Sequence, residues 1–151
     1  MVYNVLIIGF GSAGSRHAKI FNSLKCKVYI FSRKKSTLFL NLTNLSKIFD
    51  YKFNLILISN ETNLHYQTLK KVNKYLLKNS KTICLVEKPL FHRYYKFKFY
   101  KKNIYVAYNL RFHPLIIKLK KFLDRNKIYH VSLRCYSYLP NWKKINYQKS
   151  Y

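Results

Sequence analysis

Every glycine of this 151-residue chain lies in one short loop, at positions 9, 11 and 14. The loop follows an apolar run at residues 5–8 and precedes a stretch with helical spacing, so it has the pattern G-x-G-x-x-G between a strand and a helix. Gly9 permits the tight turn, Gly11 lets a pyrophosphate approach the backbone, and Gly14 lets the helix pack closely on the strand. Ser12 and Ala13 would offer free N–H groups to the anion. The loop predicts a dinucleotide-binding site, the alternative being a tight turn of the same fold with an empty site.

Short apolar runs alternate with longer periodic stretches along the first two thirds of the chain, which is typical of a parallel sheet with helical crossovers. Residues 55–58, within the expected strand 54–59, are continuously apolar, as expected of a strand that is buried on both faces. We therefore expect an α/β fold with a Rossmann-type doubly wound parallel sheet. The expected strands are residues 3–9, 27–32, 54–59, 82–86 and 104–108, the expected helices are 13–24, 64–77 and 115–123, and residues 37–49 are ambiguous with a helix-like apolar face.

The pattern changes near residue 115. Residues 128–138 alternate between apolar and polar side chains, which indicates a half-covered antiparallel strand rather than another parallel one. We therefore expect a dinucleotide-binding domain at residues 1–114, followed at 115–151 by the incomplete start of a second α/β domain with an antiparallel sheet.

The chain is strongly basic, with 30 Lys and Arg against four Asp and Glu and a net charge of +26. Such a charge is compatible with a polyanion partner. The positive residues are spread along the whole chain, however, so they specify no face, and we favour compositional drift towards residues with A/T-rich codons as their explanation. Residues 91–103, which are both basic and aromatic, are either a surface helix or a nucleic-acid-binding strip, since aromatic rings can stack on bases while cations meet phosphates.

The spacing of the cysteines and the hydropathy of the chain bear on its cellular location, on metal binding and on membrane partners. The three cysteines are far apart and have no metal-ligand spacing, so we expect reduced thiols, a cytoplasmic location and no metal site. No apolar run approaches the ~20 residues that a membrane-spanning helix needs, and we expect no membrane partner.

The end of the second expected strand bears on cofactor choice. An NAD-binding fold usually has an acid there that accepts hydrogen bonds from the ribose 2′-OH. This chain has Ser32 and Arg33, followed by Lys34 and Lys35, a hydroxyl and three cations that suit a 2′-phosphate. The sequence therefore predicts NADP(H) in preference to NAD(H).

Four motifs follow one another in the order GFGSAGSRH, ISNETNLH, VEKPL and YNLRFHP. This ordered set, which covers nearly the whole chain, resembles the Gfo/Idh/MocA family of NAD(P)-dependent oxidoreductases. Members of the family transfer a hydride between the cofactor and a hydroxyl of a sugar, inositol or sugar derivative.

The resemblance implies roles for individual residues. Lys88 corresponds to the catalytic lysine beside the nicotinamide and the reacting hydroxyl, Glu87 would orient or screen its ammonium group, and Pro89 would fix the turn, with a cis bond as one option. The loop carrying Asn60, Thr62 and His65 would lie along the cofactor, and Arg111 would lie near the substrate and the nicotinamide. The segment YLPNW, at residues 138–142, resembles one found in sugar-processing members.

Family members are more than twice as long and carry a later acid–histidine motif that supplies a proton-transfer partner, whereas this sequence ends before such a motif. Three hypotheses follow: an N-terminal fragment or frameshift product of a sugar-type dehydrogenase, a reduced NADP-binding module, or a basic nucleic-acid-binding protein on a relic nucleotide-binding fold. We favour the first, and expect little or no turnover from the chain alone. An intact family member is expected to be a homo-oligomer, an expectation that does not extend to this chain.

Overall fold

The apolar runs of the sequence form a six-stranded, wholly parallel sheet in the part of the chain that the structure, a computed structural model, describes: residues 2–98, 103–134 and 136. The chain divides into two compact units, Met1–Asn109 and Leu110–Tyr151, and the sheet belongs to the first. Its strands are β1 (Asn4–Ile8), β2 (Lys27–Phe31), β3 (Leu40–Asn41), β4 (Leu55–Ile58), β5 (Ile83–Val86) and β6 (Ile104–Val106).

The order of the strands across the sheet is β3-β2-β1-β4-β5-β6. The chain therefore winds outwards in one direction from β1 to β3 and in the other direction from β4 to β6. In folds of this kind the crevice for a ligand opens at the carboxyl ends of the two strands where the direction reverses, here β1 and β4. The predicted Rossmann-type doubly wound parallel sheet is confirmed.

Two helices cover opposite faces of the sheet. Helix α1 (Ser12–Ser23) buries Ala18 against Val5, Ile7 and Val28, and helix α2 (His65–Lys78) covers the other face. Successive residues of a strand point to opposite faces, so the central strands must be apolar at every position. On the α2 side the buried core consists of Leu6, Ile8, Tyr29, Ile56, Ile58, Leu69, Val72, Tyr75, Leu76, Cys84 and Val86, together with four residues of the connection between β2 and β4.

The connection between β2 and β4 differs from the expected helix at residues 37–49. It contains β3, which extends the sheet beyond β2, and a 3-10 helix at Leu45–Asp50. Side chains that bond to nearby backbone compete with helix formation. The Asn41 side chain bonds to the backbone N–H and carbonyl of Ser36, and the Asn44 side chain accepts a hydrogen bond from the N–H of Ser46.

The basic, aromatic segment after β5 is not a surface helix where the structure describes it. Residues 91–98 have no regular secondary structure and run alongside α2 as a strap, the name used below for these eight residues. Phe91, Tyr95 and Phe97 pack on Tyr66 of α2, with the Tyr66 and Tyr95 rings stacked at 4.1 Å between centroids. Aromatic packing on α2 therefore replaces the crossover helix that the pattern suggested.

The second unit contains helix α3 (Pro114–Leu123), which has proline in its first turn and His113 as its N-cap, with Nδ1 accepting from the N–H of Leu115. A 3-10 helix at Asn109–Phe112 precedes it.

The prediction of an antiparallel strand at 128–138 is wrong over residues 128–134, which form no strand because no described segment pairs with them. Cys135 and the segment 138–142 lie outside the described residues. None of the helices in the described ranges is long and apolar enough to cross a bilayer.

Candidate functional site

The glycine loop is held at the switch point of the sheet by bonds to the ends of two neighbouring strands. The N–H of Gly9 donates to the carbonyl of Phe31 at the end of β2, and Ser59 Oγ, after β4, donates to the carbonyl of Gly9, both at 2.9 Å. Gly9 has φ of +95°, which disfavours any side chain, and a Cβ atom there would overlap the backbone of Asn60. The loops after β1 and β4 therefore touch, backbone to backbone, where the crevice begins.

The other two glycines of the loop have different surroundings. A Cβ atom on Gly14 would overlap the carbonyl oxygen of Gly9 and lie 2.8 Å from Ser59 Oγ, so this position has no room for a side chain. A Cβ atom on Gly11 would meet no atom of the described residues within 4 Å, and its φ of −79° and ψ of −161° suit any residue. Gly11 is the N-cap of α1 and has no side chain to cap it, so no N-cap side chain satisfies the first N–H groups of α1.

Two clefts flank this loop within the first unit. The first, about 560 Å³ in volume, lies at the carboxyl ends of β1, β2 and β4 and is named the Arg33 cleft. Arg33 and Lys34 are exposed cations on its wall, while the hydroxyl of Ser32 accepts a hydrogen bond from the N–H of Phe10 at 3.2 Å. Its lining residues are Ile8, Gly9, Phe10, Gly11, Phe31, Ser32, Arg33, Lys34, Ser59, Asn60, Glu61 and Leu64.

The second cleft, about 470 Å³ in volume, lies on the other side of the loop and is named the Lys88 cleft. It is lined by Ser12, Ala13, Arg16, His17, Ser59, Asn60, Thr62, His65, Glu87, Lys88, Ala107 and Asn109. Ser59 and Asn60 line both clefts, so the clefts meet beside the glycine loop. The Lys88–Pro89 peptide bond is cis, and Lys88 is exposed at the rim.

The carboxylate of Glu87 is bound differently from the expectation that it orients the Lys88 ammonium. Glu87 Oε1 lies 2.9 Å from Nε2 of His17 on α1, and Oε2 accepts a hydrogen bond from the backbone N–H of Lys88 at 3.3 Å. The reason is geometric: β5 ends and α1 begins at this cleft, which places the carboxylate against the imidazole. The cations of Arg16 and Lys88 form no ion pair with any residue in the described ranges.

His65 joins the loops that follow β4 and β5. Its ring is buried at 1% exposure, with Nε2 3.0 Å from the carbonyl oxygen of Asn60 and Nδ1 3.1 Å from that of Pro89. The Asn60 side chain donates to Thr68 Oγ1 of α2 at 2.9 Å. His65 therefore positions the two loops, and the body of its ring is part of the wall of the Lys88 cleft.

The structure gathers nearly all of the expected site residues around the two clefts. Gly9, Gly11, Ser32, Arg33 and Asn60 line the first, and Ser12, Ala13, Asn60, Thr62, His65, Glu87 and Lys88 line the second. Gly14 lies buried behind the loop. Arg111 belongs to the second unit, where it is exposed, and its role at the site stays a prediction.

Sequence reasoning left out Arg16 and His17, although both lie within the glycine-rich motif. Arg16 follows Ser12 by four positions, which puts both on one side of α1. This spacing could have identified Arg16 as a residue of the site. It also left out the apolar wall of the Arg33 cleft formed by Phe10, Phe31 and Leu64. Within the described residues, no group of three or more His, Cys, Asp or Glu is arranged to hold a metal ion.

No protein-family model matches the sequence, and no curated protein matches it. Among solved structures, the chain is similar to an NAD binding oxidoreductase from Klebsiella pneumoniae, with a TM-score of 0.54 and 14% identity over 83% of this chain and 39% of that chain. It is also similar to prephenate dehydrogenase from A. aeolicus in complex with hydroxyphenyl propionate and NAD+, with a TM-score of 0.50 and 20% identity over 57% of this chain and 33% of that chain. The chain thus spans well under half the length of both proteins, and at these identities the likeness shows the Rossmann-like fold.

Proposed function

We propose that residues 1–114 form the dinucleotide-binding domain of an NAD(P)-dependent oxidoreductase. The observation that carries the proposal is Gly11. Packing explains why Gly9 and Gly14 have no side chain, but the protein itself leaves open space in front of Gly11. A pyrophosphate that approaches the backbone at this point supplies the missing reason, because a side chain would hold it away from the N–H groups of α1.

The residues around the loop fit such a cofactor. No acidic residue lies in the first turn of α1, so the partial positive charge of the helix N-terminus is available to a phosphate. The Arg33 cleft would hold the adenosine half, and the Lys88 cleft would hold the nicotinamide half, with the pyrophosphate between them at Gly11 and Ser12. Arg33 and Lys34 favour a 2′-phosphate and hence NADP(H) over NAD(H).

The reaction we propose is hydride transfer at a hydroxyl of a sugar, inositol or sugar derivative, as the resemblance to the Gfo/Idh/MocA family implies. The bound cofactor would accept or supply the hydride. The ammonium group of Lys88 would donate a hydrogen bond to the substrate oxygen and stabilise the negative charge that develops there. Glu87 would hold the Lys88 backbone in place through its bond to the N–H, and its link to His17 leaves the ammonium available to the substrate.

Residues 115–151 would begin a second domain that completes the substrate site. The observed division of the chain falls between Asn109 and Leu110, close to this boundary. Catalysis by the whole protein would require that domain, so cofactor binding rather than turnover is the measurement that tests the first unit.

The experiment is NADPH binding by isothermal titration calorimetry at physiological salt. Gly11→Ala is expected to keep the thermal stability of the wild type, because a Cβ atom there meets no protein atom, and to weaken NADPH binding at least tenfold. Lys19→Ala, at an exposed position further along α1, is the matched control and should bind as the wild type does. Equal affinity of Gly11→Ala and wild type, or a wild-type Kd weaker than millimolar, would overturn the proposal.

A further inference from the structure

A basic groove lies along α2, outside both clefts. It has a volume of about 300 Å³ and runs between α2 and the strap, and we name it the α2 groove. Its main lining residues are Tyr66, Lys70, Asn73, Lys74, Lys96 and Phe97. It shares no lining residue with the Arg33 cleft or the Lys88 cleft, so a ligand could occupy it independently of a dinucleotide.

The wall of the groove formed by the strap is fixed in position by aromatic packing. The Tyr66 ring stacks on Tyr95 and meets Phe91 and Phe97 edge to face, at centroid distances of 5.6 and 5.9 Å. Phe91 and Phe97 also pack against the buried core. These rings are used within the protein and hold the strap beside α2, which places the cations of the strap opposite those of the helix.

The cations of the groove are not neutralised by neighbouring acids. Lys70 and Lys74 are four residues apart and lie on the same side of α2, and Lys96 lies across the groove from them; all three are exposed. None of the three forms an ion pair with a described residue. Three cations along a concave surface suit a ligand with successive phosphates.

Asn73 gives the groove a second chemical feature. The residue is 4% exposed and its Nδ2 donates to the carbonyl of Lys98 at 3.3 Å, while its Oδ1 is buried and has no hydrogen-bond partner among the residues that the structure describes. An unsatisfied buried acceptor costs about 1–3 kcal/mol, so a ligand group that donates an N–H or O–H beside it is favoured. The phosphodiester group of a nucleic acid carries no such donor, whereas the ribose hydroxyl and the base beside each phosphate do.

We propose that the α2 groove binds single-stranded RNA. Its phosphates would lie along Lys70, Lys74 and Lys96, and a ribose hydroxyl or a base N–H would donate to Asn73. A concave groove between a helix and a strap admits a single strand, while the flat surface of a bilayer would meet only its rims. The proposal is independent of the oxidoreductase function, because the groove lies apart from both clefts.

The test is binding of a fluorescein-labelled 12-nucleotide oligouridylate, measured by fluorescence anisotropy between 50 and 300 mM salt. The groove variant Lys70→Gln/Lys74→Gln/Lys96→Gln is expected to lose at least tenfold in affinity and to reduce the slope of log K against log salt by about 2, since each phosphate contact contributes about 0.7 for single strands. The control Lys118→Gln/Lys120→Gln/Lys121→Gln removes the same charge from exposed positions of α3 and should lose less than twofold.

A second variant distinguishes recognition by the groove from attraction by the net charge of the protein. Asn73→Ala changes no charge, and it should weaken binding at least threefold with an unchanged salt slope. The two lysine triples and Asn73→Ala should all bind NADPH as the wild type does. A failure of RNA binding can therefore be told apart from a failure of dinucleotide binding. Equal losses of RNA affinity in the two lysine triples would show that net charge alone attracts the RNA. Binding to phosphatidylserine vesicles without binding to the RNA would show that the groove faces a membrane surface. Either result would overturn the proposal. An Asn73→Ala variant that folds and binds RNA as tightly as the wild type would also contradict it.

Discussion

His17 Nε2 lies 2.9 Å from Glu87 Oε1, which joins helix α1 to the end of strand β5 inside the Lys88 cleft. The two residues are 70 positions apart in the chain. The pair uses one of the four acidic residues of a very basic protein and leaves the neighbouring Lys88 side chain open to a ligand.

A double-mutant cycle measures the strength of this pair. The side chains are 27% and 20% exposed, so the coupling between His17→Gln and Glu87→Gln should stabilise the fold by about 0.2–1 kcal/mol, the range of partly exposed ion pairs. Urea unfolding of the wild type, both single variants and the double variant gives the coupling energy. Strictly additive single effects would contradict a direct interaction.

Gly14→Ala should destabilise the first unit without any ligand present. Its Cβ atom would overlap the Gly9 carbonyl, so α1 must shift away from β1, at a cost of about 1–3 kcal/mol or more. Thermal and urea unfolding compare it with Gly11→Ala, which adds the same methyl group to open space in the same loop. Equal stability of the two alanine variants would show that the loop is less tightly packed than the structure has it.

Arg33→Asp should reverse the preference between cofactors if NADP(H) is the ligand. The new carboxylate repels a 2′-phosphate and accepts bonds from a 2′-hydroxyl, so NADPH affinity should fall at least tenfold while NADH affinity changes less than threefold. Lys118→Asp makes the same change of charge on α3 and serves as the control. An unchanged NADPH-to-NADH ratio in Arg33→Asp would reject the assignment of the 2′-phosphate to this residue.

Cys84 makes stability depend on pH in the alkaline range. Burial raises the pKa of its thiol from the ordinary value of 9.0 to about 12. Above pH 9 the unfolded chain loses this proton while the folded chain keeps it, so the stabilising contribution is complete below pH 9 and declines as pH rises towards 12.

The decline should be of order 1 kcal/mol for each pH unit. Urea unfolding at pH 8 and pH 10.5 should therefore show a smaller loss of stability in Cys84→Ala than in the wild type. Cys26→Ala removes a half-buried thiol and serves as the matched control for a cysteine-to-alanine change.

Tyr75 links α2 to the segment before β4 through its hydroxyl group. The fully buried O–H donates to the carbonyl of Tyr51 and accepts from the N–H of Phe53, both at 3.0 Å. Tyr75→Phe should lower the free energy of unfolding by about 1–3 kcal/mol, because it leaves a buried N–H unsatisfied. Tyr105→Phe, at a half-exposed ring, should change it by less than about 0.5 kcal/mol in the same urea titration.

The parts of the fold that the sequence predicted are those with a local signal. Continuous apolar runs such as Leu55–Ile58 mark strands buried on both faces, and the glycine loop marks the first strand-to-helix turn. β3 was not predicted, because a strand of two residues, Leu40–Asn41, carries too little pattern and exists only through its pairing with β2.

Motif order predicted residues that line one cleft, among them Lys88, Asn60 and His65, but not the contacts they make. Their place beside a cofactor stays a prediction, and the partner of Glu87 is set by how α1 lies against the sheet. The strap was misjudged for a related reason, since the ring that organises it, Tyr66, lies in another element. Contacts between distant segments depend on packing geometry that no local pattern encodes.

His65 has a mechanical consequence. The His65 ring lies between the carbonyls of Asn60 and Pro89, with Nε2 3.0 Å from the first and Nδ1 3.1 Å from the second, so the loops after β4 and β5 cannot separate without losing one of these interior contacts. Asn60 belongs to the wall of both clefts, while Pro89 follows Lys88 directly. We therefore expect a displacement of the turn at Lys88 to shift, through this ring, the wall that both clefts share, so that the two halves of the crevice would adjust together.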